Sequence, residues 1–351
     1  MIAGYKSMQQ TVKGDLRFLG DIVPSEKFLV EMTDDVPVVV NLECPVTRAQ
    51  VPAPDKVVLK AEIDWLINAF GSGLRVACLA NNHIMDFGAE GFSDTVALLE
   101  LAGVKWFGAG MNIDAARNGL VLRAGNRFMG FCGYVCPSTH PIFATANTPG
   151  VLPLDLDMIR EDLHGLRDKG AHRVVVCLHW GAEEVPYPSP RDIELARTLA
   201  DMGADLIIGH HSHCIQPYEI HNGRPIFYGI GNAVMPDLDL PSHYNDARQP
   251  ERRYVKKQRS WNRRSLMVDY TLESGQVMVG KLNYDKGKLI CGQKKVAASQ
   301  LLYGSMTRQA AIFRWAGFYG QLRNLVFSFV ERPRWPRLCH LRSLVMSKAS
   351  T

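Results

Sequence analysis

Five places along the chain carry side chains that could hold a metal ion, and each follows a short apolar run. Asp21 stands in Gly20-Asp21, and Glu43 in Asn41-Leu42-Glu43. Asn81-Asn82-His83 comes next, with Asp86 three residues on. His179 opens His179-Trp180-Gly181-Ala182-Glu183, and Gly209-His210-His211-Ser212-His213 carries three imidazoles. Carboxylate, amide and imidazole suit divalent first-row metals. A His-x-His pair such as His211 and His213 can aim two neutral nitrogens into one cleft. The chemistry such a set supports is hydrolysis. A metal lowers the pKa of bound water toward neutrality and shields charge on a phosphoryl oxygen. A neighbouring imidazole can protonate the leaving group. Other chemistries lack their motifs. There is no Gly-x-Ser-x-Gly elbow and no Gly-x4-Gly-Lys-Ser/Thr loop, and Gly108-Ala109-Gly110 lacks the third glycine of a dinucleotide fingerprint.

These residues need a frame, and the apolar runs supply one. Leu16–Leu19, Val36–Val40, Leu74–Leu79, Phe128–Tyr134, Arg173–Leu178, Asp205–Ile208 and Ile226–Ile230 are β-branched or aromatic-rich and bounded by Gly, Pro or Asp, which predicts strands. Gly91–Ala102 and Ile193–Met202 repeat apolar residues at helical spacing, with Ser189 or Asp192 as a cap for the second. Strands alternating with helices predict an α/β fold, whose sites form at strand carboxyl ends. Ser265–Thr271 and Gln276–Tyr284 read as a hairpin around Glu273-Ser274-Gly275.

The chain has 351 residues, 46% of them hydrophobic, enough for a full core and too apolar for disorder. Its net charge of +5 hides an asymmetry. Residues 1–247 hold 19 Lys and Arg against 30 Asp and Glu, a balance of −11. Residues 248–351 hold 21 against 5, a balance of +16. Eight cysteines without a Cys-x2-Cys pair exclude a zinc ribbon and a disulfide scaffold. The stretch 236–264, with Pro236, Pro241, Pro250 and the run Arg252, Arg253, Lys256, Lys257, Arg259, Arg263, Arg264, is predicted to be a mobile basic loop. Residues 301–351 form a basic tail with eight Lys and Arg and Glu331 as its one acid. Within it, Ile312–Val330 places Ile312, Trp315, Ala316, Tyr319, Leu322, Val326 and Phe329 on one helical face. That face could dock on its own domain or a second subunit, or lie on an anionic membrane.

In these residues the sequence resembles the CapA family of capsule and poly-γ-glutamate synthesis proteins. The resemblance runs from Gly20-Asp21-Ile22 through Asn41-Leu42-Glu43, Ala80 to Gly88, Gly108-Ala109-Gly110 and His179 to Glu183. It continues from Gly203-Ala204-Asp205 through His213 and on to Tyr228-Gly229-Ile230-Gly231-Asn232, so that it covers about residues 13–285. That family is similar to the calcineurin-like metallophosphoesterases, which implies a four-layer α/β/β/α sandwich. The resemblance implies Asp21, Glu43, Asn82, His179, His211 and His213 as metal ligands, with Glu43 near a bridging position. It implies His83 as the leaving-group acid, and Asp86 as either its orienting carboxylate or a cap. Asn41, Trp180, Glu183 and Asn232 are expected at the substrate, Trp180 either walling the cleft or lying in the core. His210 matches no ligand position. The wider superfamily opens on Asp-x-His, but Asp21-Ile22-Val23 has valine there, and Glu43 replaces the usual bridging aspartate. One or two divalent ions (Mn, Zn or Fe) are therefore expected.

The expected role is a metal-dependent phosphoesterase-like hydrolase in capsule, poly-γ-glutamate or exopolysaccharide biosynthesis. A non-enzymatic assembly or polymer-binding factor is the alternative. Expected partners are an anionic polymer or phosphorylated substrate, with peripheral membrane contact through the basic tail. Nucleic acid is disfavoured, since only Tyr254 and Trp261 interleave the charges of 248–264. No signal peptide or spanning helix is read in the sequence, so a cytoplasmic or peripheral membrane location is expected.

Overall fold

The computed structural model describes residues 15–292 (33 and 63 excepted), the backbone at 296–297, and residues 312–318. The chain runs β1 (Asp15–Ile22), β2 (Leu29–Glu31), β3 (Val38–Leu42), α1 (Trp65–Phe70), β4 (Leu74–Cys78), α2 (Gly88–Leu101), β5 (Lys105–Phe107), β6 (Ala109–Gly110), α3 (Ile113–Arg117), β7 (Leu120–Ala124) and β8 (Arg127–Val135). It continues through β9 (Gly150–Val151), α4 (Leu156–Asp168), β10 (Arg173–His179), α5 (Pro190–Asp201), β11 (Leu206–His210), β12 (Tyr218–His221), β13 (Arg224–Phe227) and β14 (Asn232–Val234). The last strands are β15 (Leu238–Tyr244), β16 (Pro250–Lys256), β17 (Arg264–Thr271), β18 (Val277–Asp285), β19 (Lys288–Cys291) and β20 (Val296–Ala297).

Two large sheets result. The first has the order β2-β19-β18-β17-β1-β3-β4-β5, with β14 beside β1 and β20 beside β18. The second has the order β12-β13-β11-β10-β8-β7. Each contains a parallel run of four strands: β1, β3, β4 and β5 at one end of the first, β8, β10, β11 and β13 in the middle of the second.

Alternation along β10 shows how the layers stack. Val175 and Cys177 bury with first-sheet residues such as Val76 and Phe107 in one core. Val174, Val176 and Leu178 turn to the other side, against Ile159 and Leu163 of α4 and Ile193 and Leu199 of α5. Leu66 of α1 and Phe92 and Leu99 of α2 cover the first sheet. The layers are helix, sheet, sheet, helix, as expected. α5 begins as the sequence indicated. Ser189 Oγ accepts from Asp192 N at 3.1 Å, Asp192 Oδ2 accepts from Ser189 N at 3.1 Å, and Pro190 takes the first helical position.

The expected basic loop is corrected: residues 238–256 form an antiparallel hairpin, β15 with β16. Its charges are matched instead of merely solvated. Arg253 Nη2 donates to Asp239 Oδ2 at 2.7 Å across the hairpin, and Arg263 Nη2 to Asp237 Oδ1 at 2.8 Å at its base. Backbone bonds tie it to residues 52–56: His243 N to Lys56 O at 2.9 Å and Asp55 N to Tyr244 O at 3.1 Å. The β17–β18 hairpin forms where expected and joins the first sheet antiparallel to β1.

Residues 312–318 are helical. Ile312, Phe313 and Ala316 pack on the α4–α5 core, while Trp315 is 71% exposed. The apolar face expected from the spacing is thus divided, since Trp315 turns outward. The rest of the expected Ile312–Val330 helix, and of the tail, lies outside the described residues. Among the described residues no helix is long and apolar enough to cross a membrane.

Candidate metal centre

The carboxyl ends of β1, β3, β4, β10 and β11 converge, and the first residues past them build the site. Close packing of the β1 end sets Asp21. A Cβ on Gly20 would stand 1.8 Å from the Gly231 carbonyl oxygen, so only glycine lets β1 ride against residues 231–232. Asp21 N donates to that same oxygen at 3.0 Å.

Asp21 is 1% exposed and densely bonded. Its Oδ1 accepts from Asn41 Nδ2 at 2.9 Å and lies 2.8 Å from His210 Nδ1. Its Oδ2 accepts from His211 N at 3.1 Å and lies 3.4 Å from His213 Nδ1. Burial pushes this carboxyl up, but the hydrogen bonds to His210 and His213 outweigh burial and hold it well below the usual carboxylate range. Asn41 passes the arrangement onward: its Oδ1 accepts from Asn81 Nδ2 at 3.2 Å, and Asn81 Oδ1 accepts from His83 N at 3.1 Å.

Glu43 is the opposite case. It is fully buried, and neither carboxylate oxygen has a hydrogen-bond partner. Oε1 lies 3.5 Å from His179 Nε2 and 3.7 Å from His213 Nε2. Burial, and then the charge of Asp21, push its carboxyl well above the ordinary range. A buried carboxylate without donors is costly unless a cation compensates it.

The histidines differ in charge. Burial, with His211 nearby, holds His179 well below its usual pKa. Burial, with His213 nearby, brings His211 down to about 4. Both are therefore neutral at neutral pH, and the Nδ1 of each is buried without a partner. His213 differs. Burial opposes its charge, but Glu43 and Asp21 outweigh burial and lift it to about 9. Its Nδ1 lies 2.9 Å from Asn232 Oδ1, which leaves Nε2 toward Glu43. His211 and His213 take positive φ, 78° and 53°, a left-handed backbone few non-glycine residues adopt.

Two groups of donors, Glu43–His179–His211 and Asp21–Glu43–His213, each have ligand atoms within 4.8 Å of one another, and Glu43 belongs to both. Asn82 Oδ1 lies 2.9 Å from His179 Nε2. Two ligands about 2.1 Å from one metal stand roughly 3 Å apart, so this spacing fits a shared ion. Donor types, orphaned Glu43 oxygens and neutral buried imidazoles together fit one or two divalent metals.

Beside this cluster opens a cleft of about 820 Å³. His83 lines it, with Nδ1 2.7 Å from Asp86 Oδ2. Asp86 is fully buried, bonded by Leu59 N at 2.6 Å and paired with Lys56 Nζ at 2.7 Å. Glu183 stands at the rim. Asn232 lies beneath, holding His213 and donating to Asn262 O at 2.9 Å. Of its two alternatives Trp180 takes the core and not the cleft wall: it is 2% exposed on the helix side, stacked on Tyr228 and donating to its carbonyl at 3.0 Å. A buried indole needs an acceptor, and the core supplies one. Sequence reasoning missed His210, which touches Asp21, and Lys56, Tyr254 and Lys256 on the cleft wall. The triple-histidine run was a signal for the first; long-range pairing gave none for the others.

Two stacked sheets lie between helix layers, and these donors stand at the carboxyl ends of strands from both sheets. The chain belongs to the family described as bacterial capsule synthesis protein PGA_cap, which it matches over residues 24–237. It is 38% identical over 156 residues to PGA biosynthesis protein CapA of Bacillus subtilis strain 168, a stretch covering 44% of this chain and 41% of that protein. It is 36% identical over 166 residues to capsule biosynthesis protein CapA of Bacillus anthracis, covering 46% and 40%. A probable polyglutamine synthesis accessory protein of Mycobacterium tuberculosis is 36% identical over 170 residues, covering 45% and 44%. The chain thus matches less than half the length of these curated relatives. Among solved structures, a hypothetical protein from Thermus thermophilus superposes with TM-score 0.40 at 14% identity, covering 82% of this chain and 99% of that one.

Proposed function

We propose that the chain is a metal-dependent phosphoesterase-type hydrolase acting in the synthesis of capsule, poly-γ-glutamate or another exopolysaccharide. The observation that carries this reading is Glu43, buried with two unbonded oxygens among neutral imidazoles. Asp21, Glu43, Asn82, His179, His211 and His213 would hold one or two ions of Mn, Zn or Fe. A bound ion of this kind supplies water acidified toward neutral pH and shields phosphoryl charge.

The chain's own groups supply the rest. His83, oriented by Asp86 through Nδ1, has Nε2 left to pass a proton to the leaving oxygen. Asn41 and Asn232 are positioning residues, holding Asp21 and His213. The cleft would take a phosphorylated lipid carrier, a nucleotide sugar or a polymer end. An anionic polymer as partner, and membrane contact through the basic tail, belong to the same reading.

One observation favours a polymer-binding assembly factor instead. Val23, where the superfamily has histidine, is 1% exposed in the core and donates no ligand. Elemental analysis of the purified protein separates the readings, together with assays of phosphomonoesters and phosphodiesters in added Mn, Zn or Fe. The hydrolase should hold metal and lose both metal and turnover in His211→Ala. Absence of bound metal, with activity unchanged in that variant, would falsify it.

A further inference from the structure

We propose that Glu183 is a ligand of the metal centre and completes the donor set that Val23 leaves short. The proposal rests on the metal reading given above, and it gives Glu183 a role other than substrate contact.

The geometry carries it. A carboxylate oxygen of Glu183 and ring nitrogens of His211 and His213 lie within 4.8 Å of one another. His211 is 6% exposed, and its Nδ1 has no partner. Glu183 is also held in register with the two histidines by backbone bonds between their loops. Glu184 N donates to Ser212 O at 2.8 Å, at the residue between them. Gln216 Nε2 donates to Val185 O at 2.8 Å, and Cys214 Sγ lies 3.4 Å from that oxygen. Glu184 itself takes a φ of 59°, so the turn presenting Glu183 is as specialised as the one presenting His211 and His213. Val23, by contrast, is fixed in the β1 end, its N donating to Val234 O at 2.8 Å. No donor comes from that position, and Glu183 reaches the centre from the opposite sheet.

Lys256, at the end of β16, governs the approach. Its Nζ lies 3.2 Å from Glu183 Oε2 and 3.6 Å from Glu184 Oε1. This ion pair holds Glu183 at the rim. As a ligand, Glu183 would exchange this ion pair for the ion that His211 and His213 would hold.

The test is a Mn2+ titration of the full chain, read by electron paramagnetic resonance and by elemental analysis, with no substrate present. Wild type, Glu183→Gln, Glu183→Asp and Glu184→Gln are compared. A lost ligand should weaken one Mn2+ site tenfold or more in Glu183→Gln, alter its spectrum, and leave Glu184→Gln within about twofold of wild type. Glu183→Asp, which keeps a carboxylate, should recover part of the affinity. Equal binding and identical spectra in wild type and Glu183→Gln overturn the proposal. So does equal loss in Glu183→Gln and Glu184→Gln, which would report general electrostatics. Wild type that binds no ion removes the metal reading itself, a different outcome from a wild type that binds while Glu183→Gln binds as well.

Discussion

His210 Nδ1 lies 2.8 Å from Asp21 Oδ1, and both side chains are buried. The contact fixes one oxygen of the carboxylate that the sequence marks as a metal ligand. His210 therefore acts through Asp21, although it directly precedes His211, which is proposed as a ligand.

Replacing His210 with Ala should lower metal affinity about 10- to 100-fold, the usual effect of removing a group that orients a ligand. His210→Asn keeps a donor and should lose much less. Metal titration of both variants checks this, and equal losses would contradict it.

His83→Asn should lower kcat about 10²- to 10⁴-fold for an ester with a poor leaving group. An ester with a good leaving group, which needs little protonation, should lose far less. A uniform loss across leaving groups would remove the acid role from His83.

Metal affinity should rise with pH. His213 has its pKa lifted from 6.5 to about 9, so in the metal-free protein it binds a proton up to that pH. Its stabilising contribution is full below 6.5 and is lost as pH rises through 9. A metal must displace that proton, so affinity should improve about tenfold per pH unit across this window and level off above it. Mn2+ titrations at several pH values measure the slope, and a flat profile would contradict the assignment.

Gly20→Ala should destabilise the fold by about 1–3 kcal/mol or more, since the added methyl meets backbone that cannot swing aside. Urea denaturation measures it. Asp21 is the next residue, so metal affinity should fall with it.

The donors were legible because each follows closely on a short continuous apolar run, as His179 follows Val174–Leu178. Parallel strands then bring those ends to one edge, a consequence of topology that needs no side-chain detail. The β15–β16 hairpin was not legible. Its cations read as a run that cannot pack, because the partners of Arg253 and Lys256 lie 14 and 73 residues away in sequence. Trp180 was ambiguous for a related reason. It follows a ligand directly, yet strand alternation turns it to the opposite face, where Tyr228 waits. α4 went unread because its apolar residues Ile159, Leu163 and Leu166 are set in a polar sequence.

The left-handed backbone at His211 and His213 carries a further consequence. Each such residue costs roughly 1–2 kcal/mol relative to a right-handed conformation. Glycine at either position would relieve that strain, and would also remove a nitrogen from the cluster. Stability and ion affinity therefore pull these two positions in opposite directions. An ion that binds only the folded chain returns stability by mass action. On the metal reading proposed above, the resilience of this strained turn would then rise with the metal its surroundings supply.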